Sequence, residues 1–444
     1  MRARQAPSWL GKPINDEVLC SNMRAKKDLG FLRPHTVEAF HALGDGLANK
    51  RDFLLSLWPK VLTDAILFLK KHDKREFRPG SGIDPDSLFD QTSLGVDELR
   101  DLLRAFSDFE PMLYGASAER YRDHVGHPFR VWMLGHLILE DCLGGNLLAD
   151  DALHGAISRT ERACMWAIAA LCHDLGYPLE GVEFINKRAR TALPPPGLRA
   201  LGDLRFGFSQ QMVPFHDTVI RLIASRPVRQ GSGRFLTHLQ NKYYLKFLKS
   251  FDLLGHGLIS SLLVAKALVY FLEADFSHDR LRPLKKQDAR QYLVRREILR
   301  AMASHTCRDI YHLRFDTLSF LLYLVDEMQT WGRPTLTEAM SARAFPAAEQ
   351  EPTLHAFGGK ALRLSIAVPG EEWPKDKDGG WIRKKLNGFH QVLRLAMDTP
   401  SAKDLRVDLR FVRAGRPAQH ASFLLRNGRI SKEPSEWYQD GQED

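Results

Sequence analysis

Six residues of metal-ligand type, His127, His173, Asp174, His256, His305 and Asp326, each interrupt or terminate an apolar run of this chain. His127 shares one helical face with Val131, Leu134 and Ile138, at steps of four, seven and eleven, so it closes a core-facing stripe. His136, nine residues on, falls about half a turn round and points away from that stripe. His173 and Asp174 end ACMWAIAALC and put two polar groups at the end of a buried helix, a cost that a bound cation offsets. His256 opens one buried helix and His305 ends another. Asp326 lies within LSFLLYLVDEMQTW, where a lone carboxylate among leucines is costly without positive charge. A single histidine at a helix end is more often a cap or a hydrogen-bonded core residue, so the argument rests on all six together. Imidazoles and carboxylates without cysteine suit one or two ions of Fe, Mn, Co, Ni, Zn or Mg rather than a structural thiolate site.

The order His, then His-Asp, then Asp, carried by His127, His173, Asp174 and Asp326, resembles the defining signature of the HD superfamily of metal-dependent phosphohydrolases. The surrounding text, YRDHVGHPFRVWMLG, LCHDLGYP, LLGHGLISSLL and LSFLLYLVDEMQTWGRP, is similar to a bacterial HD branch of largely unassigned substrate, over residues about 118 to 334. His256 and His305 look like the extra ligands of HD enzymes that bind two metals, as in the HD-GYP and cyclic-nucleotide phosphodiesterase branches. His124, one helical turn before His127, is the rival for the first ligand. The triplet Gly176, Tyr177, Pro178 follows His173 and Asp174 almost directly, whereas HD-GYP proteins carry theirs far downstream, and the lysine those proteins place after His-Asp is missing. Cleavage of cyclic di-GMP is therefore not implied.

What the resemblance implies is hydrolysis of a phosphate ester by a metal-activated water. His173 then holds a metal, and Asp174 bridges two ions or, with one ion, ligates it and orients the water. Arg130, one turn from His127, and Arg333, two turns from Asp326, stand where they neutralise phosphate charge, although each is equally a surface arginine. Arg308 and His312 follow His305 at helical steps and line either the pocket or a solvated face. The sequence has no P-loop, Rossmann glycine pattern or Gly-x-Ser-x-Gly. The substrate class, a nucleotide, cyclic nucleotide or nucleic-acid phosphodiester, single strands included, thus comes from the resemblance and from charge. Two other readings stand beside it: an HD module that senses a nucleotide or docks a partner without turnover, and an HD nuclease similar to that of CRISPR helicases, here without helicase motifs.

These residues need a mainly α frame. VEAFHALGDGLANKRDFLLSLWPKVLTDAILFLKKHD has helical spacing, so residues 1–115 read as a helical N-terminal lead-in. HPFRVWMLGHLILEDCL, RACMWAIAALCHDLG, HGLISSLLVAKALVYFLEA, ARQYLVRREILRAMASHTC and DTLSFLLYLVDEMQTW supply the core helices of an HD-type bundle over 116–335. Between them, TALPPPGLRALGDLRFGFS and RPVRQGSGR are punctuated by Pro and Gly, so residues 182–250 read as an insertion of loops and short helices. From 361, ALRLSIAVP and DLRVDLRFVRAG alternate apolar with polar around the helical WIRKKLNGFHQVLRLAM, which predicts a small α+β domain over 361–444.

The net charge of +9 is uneven. Residues 182–250 hold twelve Lys or Arg against Glu183, Asp203 and Asp217, a local excess equal to the whole surplus. Such an excess marks either an anionic partner or a merely solvated surface. Five cysteines with no CxxC pair argue against a disulfide framework and fit a reducing cytoplasm. The N-terminal residues lack the apolar run of a signal peptide. The run from Gly257 to Leu272, broken by Lys266, is too short to span a bilayer and reads as a buried helix, so no membrane partner is expected.

Overall fold

The computed structural model describes residues 7–26, 29–47, 50–73, 94–115, 123–148, 153–183, 213–231, 233–273, 283–307, 309–310, 316–332, 351–358, 361–368, 380–397, 406–413, 416–426 and 429–432. Three helices open the chain: α1 Asp16–Ala25, α2 Pro34–His41 and α3 Arg51–Asp73. Asn15 caps α1 by accepting from the Val18 amide, and Pro34 at the start of α2 fills a position whose N–H would go unused. Helix α4 spans Val96–Gly115. Helix α5, Gly126–Leu137, runs into a π-helical turn at Ile138–Cys142. Helix α6, Arg159–Cys172, starts on a capping box in which Ser158 and Glu161 satisfy each other's amides.

Helix α7, Val213–Ala224, is followed by strands β1 Ser225–Arg229 and β2 Phe235–Leu239, paired antiparallel. This hairpin is a correction to the loops expected from RPVRQGSGR, whose glycines build its turn, with Gly233 at φ +74°. Then come α8 Asn241–Asp252, α9 His256–Ala267, the single turn α10 Val269–Leu272, α11 Lys286–His305 and α12 Leu318–Met328. Residues 184–212, which hold much of the expected basic insertion, lie outside the described residues.

Helices α5, α6, α9, α11 and α12 are buried on nearly every side; α9 and α12 are almost wholly apolar, whereas α11 also buries Arg290, Arg295 and Glu297. Helix α6 is central, with α3, α5 and α11 against it, while α9 and α12 flank α11. Two buried indoles fix this arrangement: Trp58 on α3 donates to the Leu171 carbonyl (3.0 Å), and Trp166 on α6 donates to the Trp132 carbonyl (2.8 Å) on α5. Among the described residues no single helix is long and apolar enough to cross a membrane.

The C-terminal α+β unit is a five-stranded sheet in chain order, β3 Pro352–Gly358, β4 Ala361–Val368, β5 Arg406–Arg413, β6 Arg416–Arg426 and β7 Arg429–Lys432. Only β4 and β5 run parallel, and α13, Gly380–Met397, lies between them in the chain. Strand β3 was not foreseen in the sequence, because its alternation is broken by a bulge between Leu354 and Ala356. The mainly α chain with a small C-terminal α+β unit is therefore as the sequence implies. Helix α13 packs on α12, where Lys385 pairs with Glu327, the neighbour of Asp326 (2.9 Å).

Candidate metal centre

Helix ends and turns, rather than one continuous motif, bring the six residues together. His127 is the second residue of α5, His173 and Asp174 follow the last residue of α6, His256 opens α9, His305 closes α11, and Asp326 sits in the last turn of α12. Five are buried and His256 is partly exposed. Two glycines permit the close crossings this requires. A Cβ at Gly176 would lie 2.4 Å from the His256 carbonyl oxygen, so only glycine lets the turn after Asp174 meet the start of α9. A Cβ at Gly257 would lie 2.3 Å from the Met302 carbonyl oxygen and 2.7 Å from His305 Nδ1, so glycine also sets the approach of α9 to α11.

All four imidazoles are anchored through Nδ1. His173 Nδ1 donates to the Ala170 carbonyl (2.8 Å) and His305 Nδ1 to the Met302 carbonyl (2.6 Å). His256 Nδ1 donates to the Glu180 carboxylate (2.6 Å), which also accepts the His256 amide (3.0 Å). His127 Nδ1 faces Gln329 Oε1 at 2.7 Å. That amide is oriented because Gln329 Nε2 donates to the Trp331 carbonyl (2.6 Å), which leaves only an acceptor for His127. Every ring is thereby held as the Nδ1–H tautomer with the Nε2 lone pair directed inward, the form in which histidine ligates a metal.

The inward atoms fall in two groups that share one residue. His127 Nε2 and His173 Nε2 are 3.2 Å apart, with Asp326 Oδ1 3.1 Å from the former and Asp174 Oδ2 3.4 and 3.2 Å from the two. His256 Nε2 and His305 Nε2 are also 3.2 Å apart, and Asp174 Oδ1 lies 3.2 and 3.5 Å from them. Atoms bound about 2.1 Å from one cation in tetrahedral or octahedral array stand roughly 3.0 to 3.4 Å from one another. The observed spacings match that edge length, and three triads have donor atoms within 4.8 Å of each other: the buried His127, His173 and Asp174, the buried His173, His305 and Asp326, which joins the two groups, and Asp174 and His305 with the partly exposed His256. Without a cation, facing acceptor lone pairs would repel.

The field of the centre calls for positive charge. Burial alone would depress His256, but its hydrogen bonds to Asp174 and Glu180 prevail and raise its pKa to about 10. Burial likewise opposes charge on His173, which Asp174 and Asp326 nevertheless raise. Asp174 is held well below the carboxylate range because the charge of His173, with hydrogen bonds from three histidines, overcomes burial. His305 is lowered, by burial first and then by the charges of His173 and His256. Protons occupy in this balance the place that a divalent ion would take.

Not every candidate joins the centre. Arg130 is a correction: its guanidinium, expected to neutralise phosphate, forms a two-pronged pair with Asp16 of α1 (2.7 and 2.9 Å) and is buried. Arg333, Arg308 and His312 lie outside the described residues. His124 stacks on Tyr177 (centroids 4.3 Å apart) and its Nε2 stays 3.9 Å from Asp174 Oδ2, so His127 is the better placed first ligand. His136 points away from the centre as expected, yet it is buried rather than solvated. Sequence reasoning passed over Gln329 and Glu180, the acceptors for His127 and His256. Gln329, three residues after Asp326 and so on the same helical side, was the only available signal. A scan of protein-family models, a search of curated proteins and a search of solved structures each found no match for the chain.

Proposed function

We propose that the chain is an HD-type metal-dependent phosphohydrolase that cleaves a phosphate ester, with a nucleotide, cyclic nucleotide or nucleic-acid phosphodiester as substrate. One observation carries this reading: Asp174 offers one oxygen to the His127–His173 pair and the other to the His256–His305 pair. A carboxylate so divided suits a bridge between two cations, with Asp326 completing the first subsite. Bound divalent ions would supply Lewis acidity toward a phosphoryl oxygen and an activated water.

The chain's own groups set the direction of approach. The side chains of His127 and His173 are at most 1% exposed, whereas that of His256 is 14% and Glu180 47% exposed, so the second subsite faces solvent. Tyr177 stands partly exposed at that side, its ring 5.4 Å from His256, as a flat wall for the organic part of the ester. Glu180 holds the His256 ring through Nδ1, and its negative charge favours positive charge on that side of the centre.

The test is a screen of mononucleotides, cyclic nucleotides and single-stranded oligonucleotides with protein loaded in turn with Mn, Fe, Zn and Mg. His173→Ala and Asp174→Asn are the control variants. Turnover of at least one class, lost by orders of magnitude in both variants, supports the proposal. Full metal content together with full activity or biological effect in both variants would leave a binding module in its place.

A further inference from the structure

Among the described residues the C-terminal sheet carries a local excess of positive charge. Its five strands carry Arg363, Arg406, Arg410, Arg413, Arg416, Arg426, Arg429 and Lys432 against a single carboxylate, Asp408. Alternation sorts the side chains. Leu362, Leu364 and Ile366 of β4, Val407, Leu409 and Phe411 of β5, and Ala421, Phe423 and Leu425 of β6 are buried on one face. The opposite face presents Arg363, Arg406 and Arg410 with Ser365 and Ser422.

Register places these groups in rows. Arg410 on the central strand β5 is aligned with Ser365 of β4 and Ser422 of β6, and His355 of β3 meets the Ser365 hydroxyl (Nε2···Oγ 2.7 Å). One step along, Arg363 is aligned with Asp408, which Arg406 also approaches (3.2 Å). Two guanidinium groups, those of Arg363 and Arg406, thus share one carboxylate, and Arg410 forms no ion pair among the described residues. The groups border a shallow depression of about 500 Å³. From the rise and spacing of strands, Arg406, Arg363 and Arg410 follow one another at steps of roughly 8 Å.

We propose that this open sheet face binds a single-stranded nucleic acid through its phosphate backbone. The ligand is a polyanion, because the cations are strung along a flat face rather than gathered in a closed pocket. Phosphate is favoured because guanidinium forks pair with it bidentately and the two serine hydroxyls add donors between them. Among the described residues the face carries no exposed Phe, Tyr or Trp ring for base stacking, and its exposed His355 is held by Ser365. Binding is therefore independent of base sequence and governed by salt. The sequence pI of about 9.2 agrees with such a partner.

This inference does not rest on the hydrolytic reading, and its test removes the metal centre from play. Full-length protein in excess EDTA is titrated into a fluorescein-labelled oligothymidylate of twenty nucleotides and followed by anisotropy over a range of salt concentrations. The wild type is expected to bind, with affinity falling steeply as salt rises. The triple variant Arg363→Gln, Arg406→Gln, Arg410→Gln should bind at least tenfold more weakly, with the log–log salt slope reduced by about 2. The single variant Arg410→Lys, which keeps charge and fold, should retain most of the slope while losing part of the affinity. Absence of binding by the wild type would overturn the proposal, as would triple-variant affinity and slope equal to wild type. Displacement by poly-glutamate at lower charge concentration than by unlabelled oligonucleotide would overturn it too and assign the face to an acidic protein.

Discussion

Gln329 Oε1 lies 2.7 Å from His127 Nδ1, joining residues 202 positions apart, and it fixes which nitrogen of that imidazole faces the candidate metal centre. Gln329→Leu removes the acceptor and leaves a buried N–H that costs about 1–3 kcal/mol. The ring is then free to turn, and metal affinity should fall by about 10- to 100-fold, the usual effect of losing such a support. Gln329→Glu keeps the acceptor and should bind metal at least as tightly as wild type. Competition with a chromophoric chelator measures both, and equal affinity in Gln329→Leu would remove Gln329 from the centre.

The N-terminal lead-in reaches the same region through Asp16. Its carboxylate accepts from Arg130 and from Trp331 Nε1 (2.8 Å), and Trp331 in turn provides the carbonyl that orients Gln329. Asp16→Ala strands a buried guanidinium, so unfolding by urea should require about 3–5 kcal/mol less. Metal binding by the folded fraction should weaken in the same direction as in Gln329→Leu. A variant as stable as wild type would show that the pair with Arg130 contributes nothing.

Gly257 is expected to tolerate no larger residue, because a Cβ would press on the Met302 carbonyl and on His305. Gly257→Ala should lower stability by about 1–3 kcal/mol through overpacking and should reduce metal occupancy by separating α9 from α11. Thermal unfolding and metal analysis of the same sample read the two effects. Unaltered values of both would mean that α9 shifts without disturbing His256.

His136 sets an acid limit apart from the centre. Burial first, then the charge of Lys26, lowers its folded pKa to about 3 from 6.5, and its Nδ1 has no hydrogen-bond partner among the described residues. The unfolded chain takes up this proton below about pH 6.5 while the folded chain does not, so the stability it contributes is intact above that pH. It declines as pH falls toward 3, at up to about 1.4 kcal/mol per unit. His136→Phe should show a shallower fall of unfolding free energy between pH 6.5 and 3 than wild type. Parallel curves would contradict this.

The six ligand-type residues were legible in the sequence because a polar side chain inside an apolar helix is costly, and the cost points to compensation wherever it occurs. The mainly α frame and the alternation of β4 and β5 were legible for the same reason of periodicity. Arg130 was misread because its partner, Asp16, stands 114 positions away and nothing local separates a clamp from a phosphate contact. The hairpin of β1 and β2 was hidden by its own turn glycines and a proline. The basic face of the sheet escaped notice because Arg363 stands on β4 and Arg406 and Arg410 on β5, more than forty positions on, and they gather only when the strands pair.

Metal content of the purified chain tests the central claim most directly. After reconstitution with Mn, Fe or Zn and removal of loose ions, mass spectrometry should find two ions per folded wild-type chain. His256→Ala should retain about one, because the subsite of His127, His173 and Asp326 remains, while Asp174→Asn should lower occupancy of both. Circular dichroism on the same samples confirms that the variants are folded. A wild-type chain without stoichiometric metal under every loading condition, or identical occupancy in all three proteins, would contradict the assignment of this cluster as a metal centre divided by Asp174.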